Sequence, residues 1–189
     1  MKILDAAMKG SLTLLALAPL LALVPLVACT AEAPAGAKDQ AVLALGIPGA
    51  VLVEPQLVSS GQYDEAQFAK LPELGYRTVI QLRLASEEGT GWEEAKAKQL
   101  GLNFIRIPVD GAKELTEANA RKLEAALQKR EGGTLVACNS GNRVGGLFAL
   151  RAYYCEKLPA EKALEAGKKA GLVKAEPDVR KLLGLPEAK

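Results

Sequence analysis

The chain reads as an α/β protein: a three-layer sandwich with a short, mainly parallel sheet flanked by helices. Two observations predict this. Short runs rich in apolar and β-branched residues recur at 57–60, 77–84, 103–109 and 134–138. Stretches of helical length with one apolar face lie between them, so strands alternate with helices at the spacing of a mainly parallel sheet.

Each element has its own justification. The first strand ends at Gly61. Asp64 followed by Gln67 makes a capping box, opening a helix to about residue 74 that Pro72 interrupts and Gly75 ends. RTVIQLRL at 77–84 is apolar and β-branched enough for a buried strand. A helix over 92–100 turns EEAKAK to water and stops before Gly101. NFIRIPV at 103–109 is the third strand, cut short by Pro108. Thr116 caps a helix to about residue 130, with Ala120, Leu123, Ala126 and Leu127 on one face. Gly132 and Gly133 lead into TLVAC, the fourth strand. A strongly apolar helix over 143–156 follows, and helices at 160–170 and 177–183 finish the chain.

The start of the chain has a different character. Lys2 and Lys9 precede an uncharged apolar run over 12–28 that contains Pro19 and Pro25. A spanning helix wants about 20 apolar residues, so the run fits a secretory signal better. Its end, Leu26-Val27-Ala28-Cys29, resembles the lipobox of bacterial lipoproteins. That resemblance implies cleavage before Cys29, lipidation of Cys29 and attachment to a membrane, for which more than one acyl chain is needed. The alternative is an uncleaved anchor helix. The expectation is therefore an exported lipoprotein, facing the periplasm or held at the cell-envelope membrane. Thr30 after the cysteine, in place of Asp, favours the outer membrane if the cell is diderm. Residues 1–28 are then a signal peptide, 29–50 a flexible tether that begins rich in Ala, Pro and Gly, and 51–189 the folded domain.

Composition narrows the chemistry. The 189 residues include 24 Lys+Arg, 22 Asp+Glu, three cysteines and no histidine. A net charge of +2 with mixed signs argues against a nucleic-acid partner. Lack of histidine removes the Ser-His-Asp triad, the Cys-His pair, the HExxH helix and His-Cys zinc fingers. No metal and no cofactor is expected. General acids and bases are confined to carboxylates, Lys, Tyr, Cys and water.

One segment concentrates what remains: Leu135-Val-Ala-Cys138-Asn139-Ser140-Gly141-Asn142-Arg143-Val144-Gly-Gly146. A buried strand ends at a cysteine, a polar Gly-containing loop turns the chain, and a helix begins. Loop amides at Asn139, Ser140, Gly141, Asn142 and Val144, with the helix N-terminus, form a bowl for an anion. Cys138 stands at its lip as a nucleophile that the loop can hold as thiolate without a histidine. Arg143 can clamp an oxyanion with two hydrogen bonds. The alternative for Cys138 is a small buried apolar residue at a strand end.

The stretch Cys138 to Arg143 resembles the Cys-x4-Arg loop shared by rhodanese sulfurtransferases and the phosphatase-like domains of bacterial beta-lactamase hydrolase-like proteins, relatives of the dual-specificity phosphatases. SSGQ at 59–62, ELGYRTVIQLR at 73–83, IPVDG at 107–111 and ALEAGKKAGL at 163–172 favour the second group, over about 51–185. The resemblance implies hydrolysis of a phosphoester, on a phosphorylated small molecule or protein, through a cysteinyl-phosphate. Cys138 would attack phosphorus, and Arg143 and the loop amides would bind its oxygens. The general acid of that family lies roughly thirty residues before the cysteine, which points to Asp110; a turn-forming Asp before Gly111 is the other reading. Arg83 either supports the anion or makes an ordinary ion pair, and Glu87 and Glu88 are expected in solvent. The sequence departs from dual-specificity phosphatases at Ala137 (usually His), in its loop of four residues (usually five) and at Val144 (often Ser or Thr). A rhodanese-like sulfurtransferase carrying a Cys138 persulfide, and a non-catalytic anion- or protein-binding module, stand as alternatives. Cys155 lies 12 residues beyond Arg143, about 18 Å along a helix. Disulfides need Cα atoms within about 7 Å, so Cys138 and Cys155 are expected to be unbridged.

Overall fold

The computed structural model describes residues 35–187. The signal peptide, Cys29 and the first residues of the expected tether lie outside the described residues. In chain order the elements are α1 (Ala35–Leu43), β1 (Val51–Glu54), β2 (Leu57–Ser60), α2 (Glu65–Lys70), β3 (Tyr76–Gln81), α3 (Glu93–Leu100), β4 (Asn103–Arg106), α4 (Glu117–Gln128), β5 (Gly133–Ala137), α5 (Asn142–Tyr154), α6 (Ala160–Lys169) and α7 (Glu176–Leu182). The strands form one sheet in the order β1-β2-β5-β3-β4. Only β1 runs antiparallel to its neighbour; β2, β5, β3 and β4 are parallel.

The period-two alternation of strand side chains builds the three layers. Leu57, Ile80 and Val136 face one side, among Leu123, Leu147 and Leu164 of α4, α5 and α6. Val58, Val79, Leu135 and Ala137 face the other, among Val42 and Phe68 of α1 and α2 and Ala97 of α3. Both faces are covered, so β2 and β5 are buried throughout, as interior parallel strands are. Each fully buried Leu or Phe contributes about 1.5–3 kcal/mol relative to leaving it exposed. Phe68 adds ring contacts to Tyr63 at 5.0 Å, Trp92 at 5.3 Å and Phe104 at 6.4 Å, tying α2 to α3 and β4. Packing between α5 and α6 depends on missing side chains. A Cβ on Gly167 of α6 would lie 2.7 Å from the Ala149 Cβ and the Gly145 carbonyl of α5, and one on Gly145 would lie 2.2 Å from the nitrogen of Leu172, just past α6.

The structure corrects the sequence reading in two places. A fifth strand, β1, precedes the four expected ones; its four residues are only half-buried to exposed and sit at the sheet edge between Pro48 and Pro55. Residues 35–50, expected to belong to a tether, fold onto the domain. Val42 and Ile47 are buried in the second core layer. Asp39 is also buried, where its carboxylate accepts from the Tyr76 hydroxyl at 2.7 Å and from the Gln56 amide at 3.1 Å. A buried carboxylate is tolerated only with such partners. Burial, with the Asp39 carboxylate alongside, pushes the Tyr76 hydroxyl well above its ordinary pKa.

Strand register positions the site. Ser60 and Gln81 both pair with Ala137, so the carboxyl ends of β2, β5 and β3 lie level along one edge of the sheet. Ligands of open parallel sheets bind beyond that edge. Cys138 follows the central strand of this row.

Candidate active site

Cys138 is held from two sides. Its N–H donates to the Ser60 carbonyl at 3.2 Å, and its Sγ accepts from the Gly141 N–H at 3.1 Å. With 1% of its surface exposed, it forms the floor of the loop and not its lip. Gly141 adopts φ 83°, ψ −20°, a left-handed turn that costs glycine little. That turn sends the chain into α5, whose first amides at Asn142, Arg143 and Val144 have no intrahelical acceptor. The loop also leans on β2: Gln62 donates its backbone N–H to the Asn139 carbonyl at 3.2 Å.

Members of the predicted bowl divide by role. Asn139 and Ser140 have exposed side chains on a cleft of about 730 Å³. The Val144 side chain is fully buried, so only its amide can serve the site. Asn142 lines the same cleft and its Nδ2 donates to Ser140 Oγ at 3.3 Å, but its side-chain oxygen is committed elsewhere. Its Oδ1 accepts from the backbone N–H groups of Val173 at 3.0 Å, Lys174 at 2.6 Å and Ala175 at 3.3 Å, pinning the α6–α7 connection. A polar side chain in a Gly-rich loop gives no sign in sequence of such a remote partner.

Arg143 meets a partner that sequence reasoning missed. Its Nη1 donates to Glu87 Oε1 at 2.6 Å and to the Val109 carbonyl at 2.9 Å, and its Nη2 donates to Glu87 Oε2 at 2.9 Å. Glu87, expected in solvent, is 27% exposed and carries a two-pronged ion pair. It also accepts from Arg83 Nε at 2.9 Å and from the Leu84 N–H at 2.9 Å. Hydrogen bonding to Arg143, opposed by burial and aided by Arg83 and the Leu84 amide, holds the Glu87 carboxyl down at about 2. The Glu87 hydrogen bond in turn raises Arg143 above its ordinary value against the effect of burial, and the neighbouring Cys138 adds to the rise. Glu88 has an exposed side chain, as expected. The one cue to Glu87 in sequence was its place four residues after Arg83.

Arg83 serves the site indirectly. It is 7% exposed, and its guanidinium goes to Glu87, to Gln62 Oε1 at 2.9 Å and to the Glu88 carbonyl at 2.8 Å. It holds Glu87, which holds Arg143. Asp110 is exposed on the rim of the same cleft as Arg143, ion-paired with Lys113, and its N–H donates to Glu114 Oε2 at 2.6 Å. Lys174 and Asp178 also line that cleft, and none of its lining residues is aromatic. Cys138 and Cys155 are free thiols flanking α5 at its two ends. Among the described residues, no group of three or more Cys, Asp or Glu side chains could hold a metal ion, and no helix is long and apolar enough to cross a membrane.

The arrangement is a cradle: a cysteine below, the Gly141 amide and the first amides of α5 beside it, and one arginine fixed at the side. Residues 50–153 match the family described as beta-lactamase hydrolase-like protein, phosphatase-like domain. The beta-lactamase hydrolase-like protein of Xylella fastidiosa (strain Temecula1) is 36% identical over 102 residues, covering 52% of this chain and 23% of that protein. That of Agrobacterium fabrum is 30% identical over 105 residues, covering 53% and 24%. The chain thus matches about a quarter of the length of these relatives. Among solved structures, a DUF442 protein of Shewanella putrefaciens CN-32 superposes with TM-score 0.57 at 23% identity, over 74% of this chain and 93% of that one. A cysteine-to-serine variant of P. aeruginosa TpbA, bound to pTyr, superposes with TM-score 0.50 at 21% identity, over 68% and 78%. These likenesses concern the fold. Taken with the cradle and the family match, they place this chain in the phosphatase-like domain family of beta-lactamase hydrolase-like proteins, with a fold like that of the protein tyrosine phosphatases.

Proposed function

We propose that the domain hydrolyses phosphomonoesters through a cysteinyl-phosphate on Cys138. The observation that carries this reading is the convergence of Cys138 Sγ, the Gly141 amide and the start of α5 beside an arginine locked by Glu87. In the first step the Cys138 thiolate forms an S–P bond as the P–O bond to the leaving group breaks. A proton from a carboxylic acid neutralises the leaving oxygen. In the second step a water oxygen attacks phosphorus, the S–P bond breaks, and the same carboxylate takes the water's proton. Asp110, on the cleft rim, is the candidate for that acid and base. Arg143 and the loop amides stabilise the charge on the phosphoryl oxygens in both steps. The substrate is a phosphorylated small molecule or protein segment.

Purified protein assayed with an aryl phosphate, and separately with thiosulfate plus cyanide, tests the reading. Phosphate release that vanishes in Cys138→Ser supports it. Sulfur transfer in its place points to a Cys138 persulfide, and activity independent of Cys138 refutes both. We also propose that the protein is an exported lipoprotein, tethered to the cell-envelope membrane through Cys29, on the strength of the basic start, the apolar run and the Leu-Val-Ala-Cys29 sequence. Intact-mass measurement of detergent-extracted protein tests this. An N-terminus at acylated Cys29 is expected, and an uncleaved Met1 refutes it.

A further inference from the structure

The SSGQ stretch at 59–62 supplies two backbone contacts to the loop, from Ser60 and Gln62, and the Gln62 side chain sits in a dense polar network. Its Nε2 donates to Glu93 Oε1 at 3.0 Å and to the Tyr63 carbonyl at 3.1 Å, and its Oε1 accepts from Arg83 Nη1 at 2.9 Å. Glu93 is fully buried at the start of α3 and paired with Arg106 at 2.9 Å. A continuous line of contacts therefore runs Arg106–Glu93–Gln62–Arg83–Glu87–Arg143. At its far end Arg143 stands over the cysteine loop, and the Gln62 backbone N–H holds that same loop at Asn139.

We infer that Gln62 is a positioning residue for oxyanion binding: its side chain sets Arg143 through Arg83 and Glu87, while its amide sets the Cys138 loop. An amide side chain suits this place. It donates to a carboxylate at one end and accepts from a guanidinium at the other without adding charge. A glutamate there would face Glu93 as a like charge, and a lysine would face Arg83. Because Glu87 is shared between two arginines, the direction in which Arg83 is held decides where the Glu87 carboxylate lies, and hence where Arg143 points. Gln81 supports the same junction, its Nε2 reaching Glu93 at 2.8 Å and its Oε1 accepting from the Arg83 N–H at 3.2 Å.

The inference rests on the oxyanion reading of the site, and its test separates the two. Tungstate binding by calorimetry and titration of the Glu87 carboxyl by carbon-13 NMR are measured in the full chain. The variants are Gln62→Met, with Gln62→Ala should the longer side chain fail to pack, and Val42→Ala, a core change on α1 remote from the site. In the Gln62 variant the tungstate Kd rises about tenfold and the Glu87 titration moves up toward the ordinary carboxylate range. Val42→Ala loses stability but changes neither readout. A Gln62 variant with wild-type tungstate affinity, or with an unmoved Glu87 titration, overturns the inference, as does an equal loss of affinity in Val42→Ala. If the wild type does not bind tungstate, the oxyanion reading is what fails. The Glu87 titration then decides alone whether Gln62 governs the Arg83–Glu87–Arg143 assembly.

Discussion

Replacing Glu87 by Gln removes one negative charge from between two guanidiniums, those of Arg83 and Arg143, whose side chains are only 8% and 14% exposed. The Glu87 carboxyl is held at about 2 against an ordinary value of 4.5. Each unit of such a difference corresponds to roughly 1.4 kcal/mol, so the native environment favours the ionised form by about 3.5 kcal/mol. Solvent reaches 27% of the side chain and screens part of this, leaving about 2–3 kcal/mol. The sign follows from linkage. A carboxyl depressed by folding gives stability that is complete above about pH 4.5 and is lost as pH falls toward about 2. Urea unfolding followed by circular dichroism, from neutral pH down to about pH 2.5, reads this directly. With m of about 2 kcal/mol/M for a domain of this size, Glu87→Gln lowers the neutral-pH midpoint by about 1–1.5 M. Its stability then falls less steeply with acid than that of the wild type. Parallel pH curves for the two proteins, or midpoints at neutral pH within about 0.2 M, would refute the assignment of Glu87 as the pivot of the site.

Further expectations concern the loop and its supports. Asp110→Asn slows aryl-phosphate turnover by about 100-fold and flattens one limb of the pH–rate profile, while thiosulfate sulfurtransfer, if present, is unaffected; an unchanged profile removes Asp110 from the proton-transfer role. Asn142→Ala leaves three backbone N–H groups, two of them exposed to water, without their protein acceptor and costs about 0.5–1.5 kcal/mol. Hydrogen exchange should quicken at 173–175, and protection equal to wild type would contradict the pinning. Gly145→Ala forces a methyl group within 2.2 Å of the Leu172 nitrogen, costing about 3 kcal/mol; a melting temperature near the wild-type value would show that the α6–α7 connection can move off α5 at little cost.

What the sequence makes legible here is local. The Asp64–Gln67 capping box, the Thr116 cap and the left-handed Gly101 end of α3 all form where residue chemistry within a few positions requires them. The Cys138–Arg143 loop is equally local, because a strand, a glycine turn and a helix start are contiguous in the chain. The partners of that loop are not. Glu87 lies 56 residues from Arg143, and apart from its i,i+4 spacing to Arg83 nothing near it in the chain distinguishes it from Glu88 until the fold brings the two loops together. Asn142 has the composition of an anion ligand and the contacts of a staple, a difference visible only once the α6–α7 connection is in place. The stretch 35–50 resembles a linker because Ala, Gly and Pro dilute its apolar residues. Val42, Ile47 and the buried Asp39 are enough to dock it, but the partners of Asp39 on β3 and in the β1–β2 turn lie 37 and 17 residues away.

The docking of α1 also gives the domain a polarity. Asp39 is bonded to Tyr76, the first residue of β3, and to Gln56 in the turn before β2. Both lie at the amino ends of the parallel strands, opposite the carboxyl ends where Cys138 and Arg143 stand. The described chain therefore enters the domain at the pole remote from the cleft. The cleft lined by Asp110 and Lys174 lies at the other end of the strands, so the packing of α1 takes no surface from it.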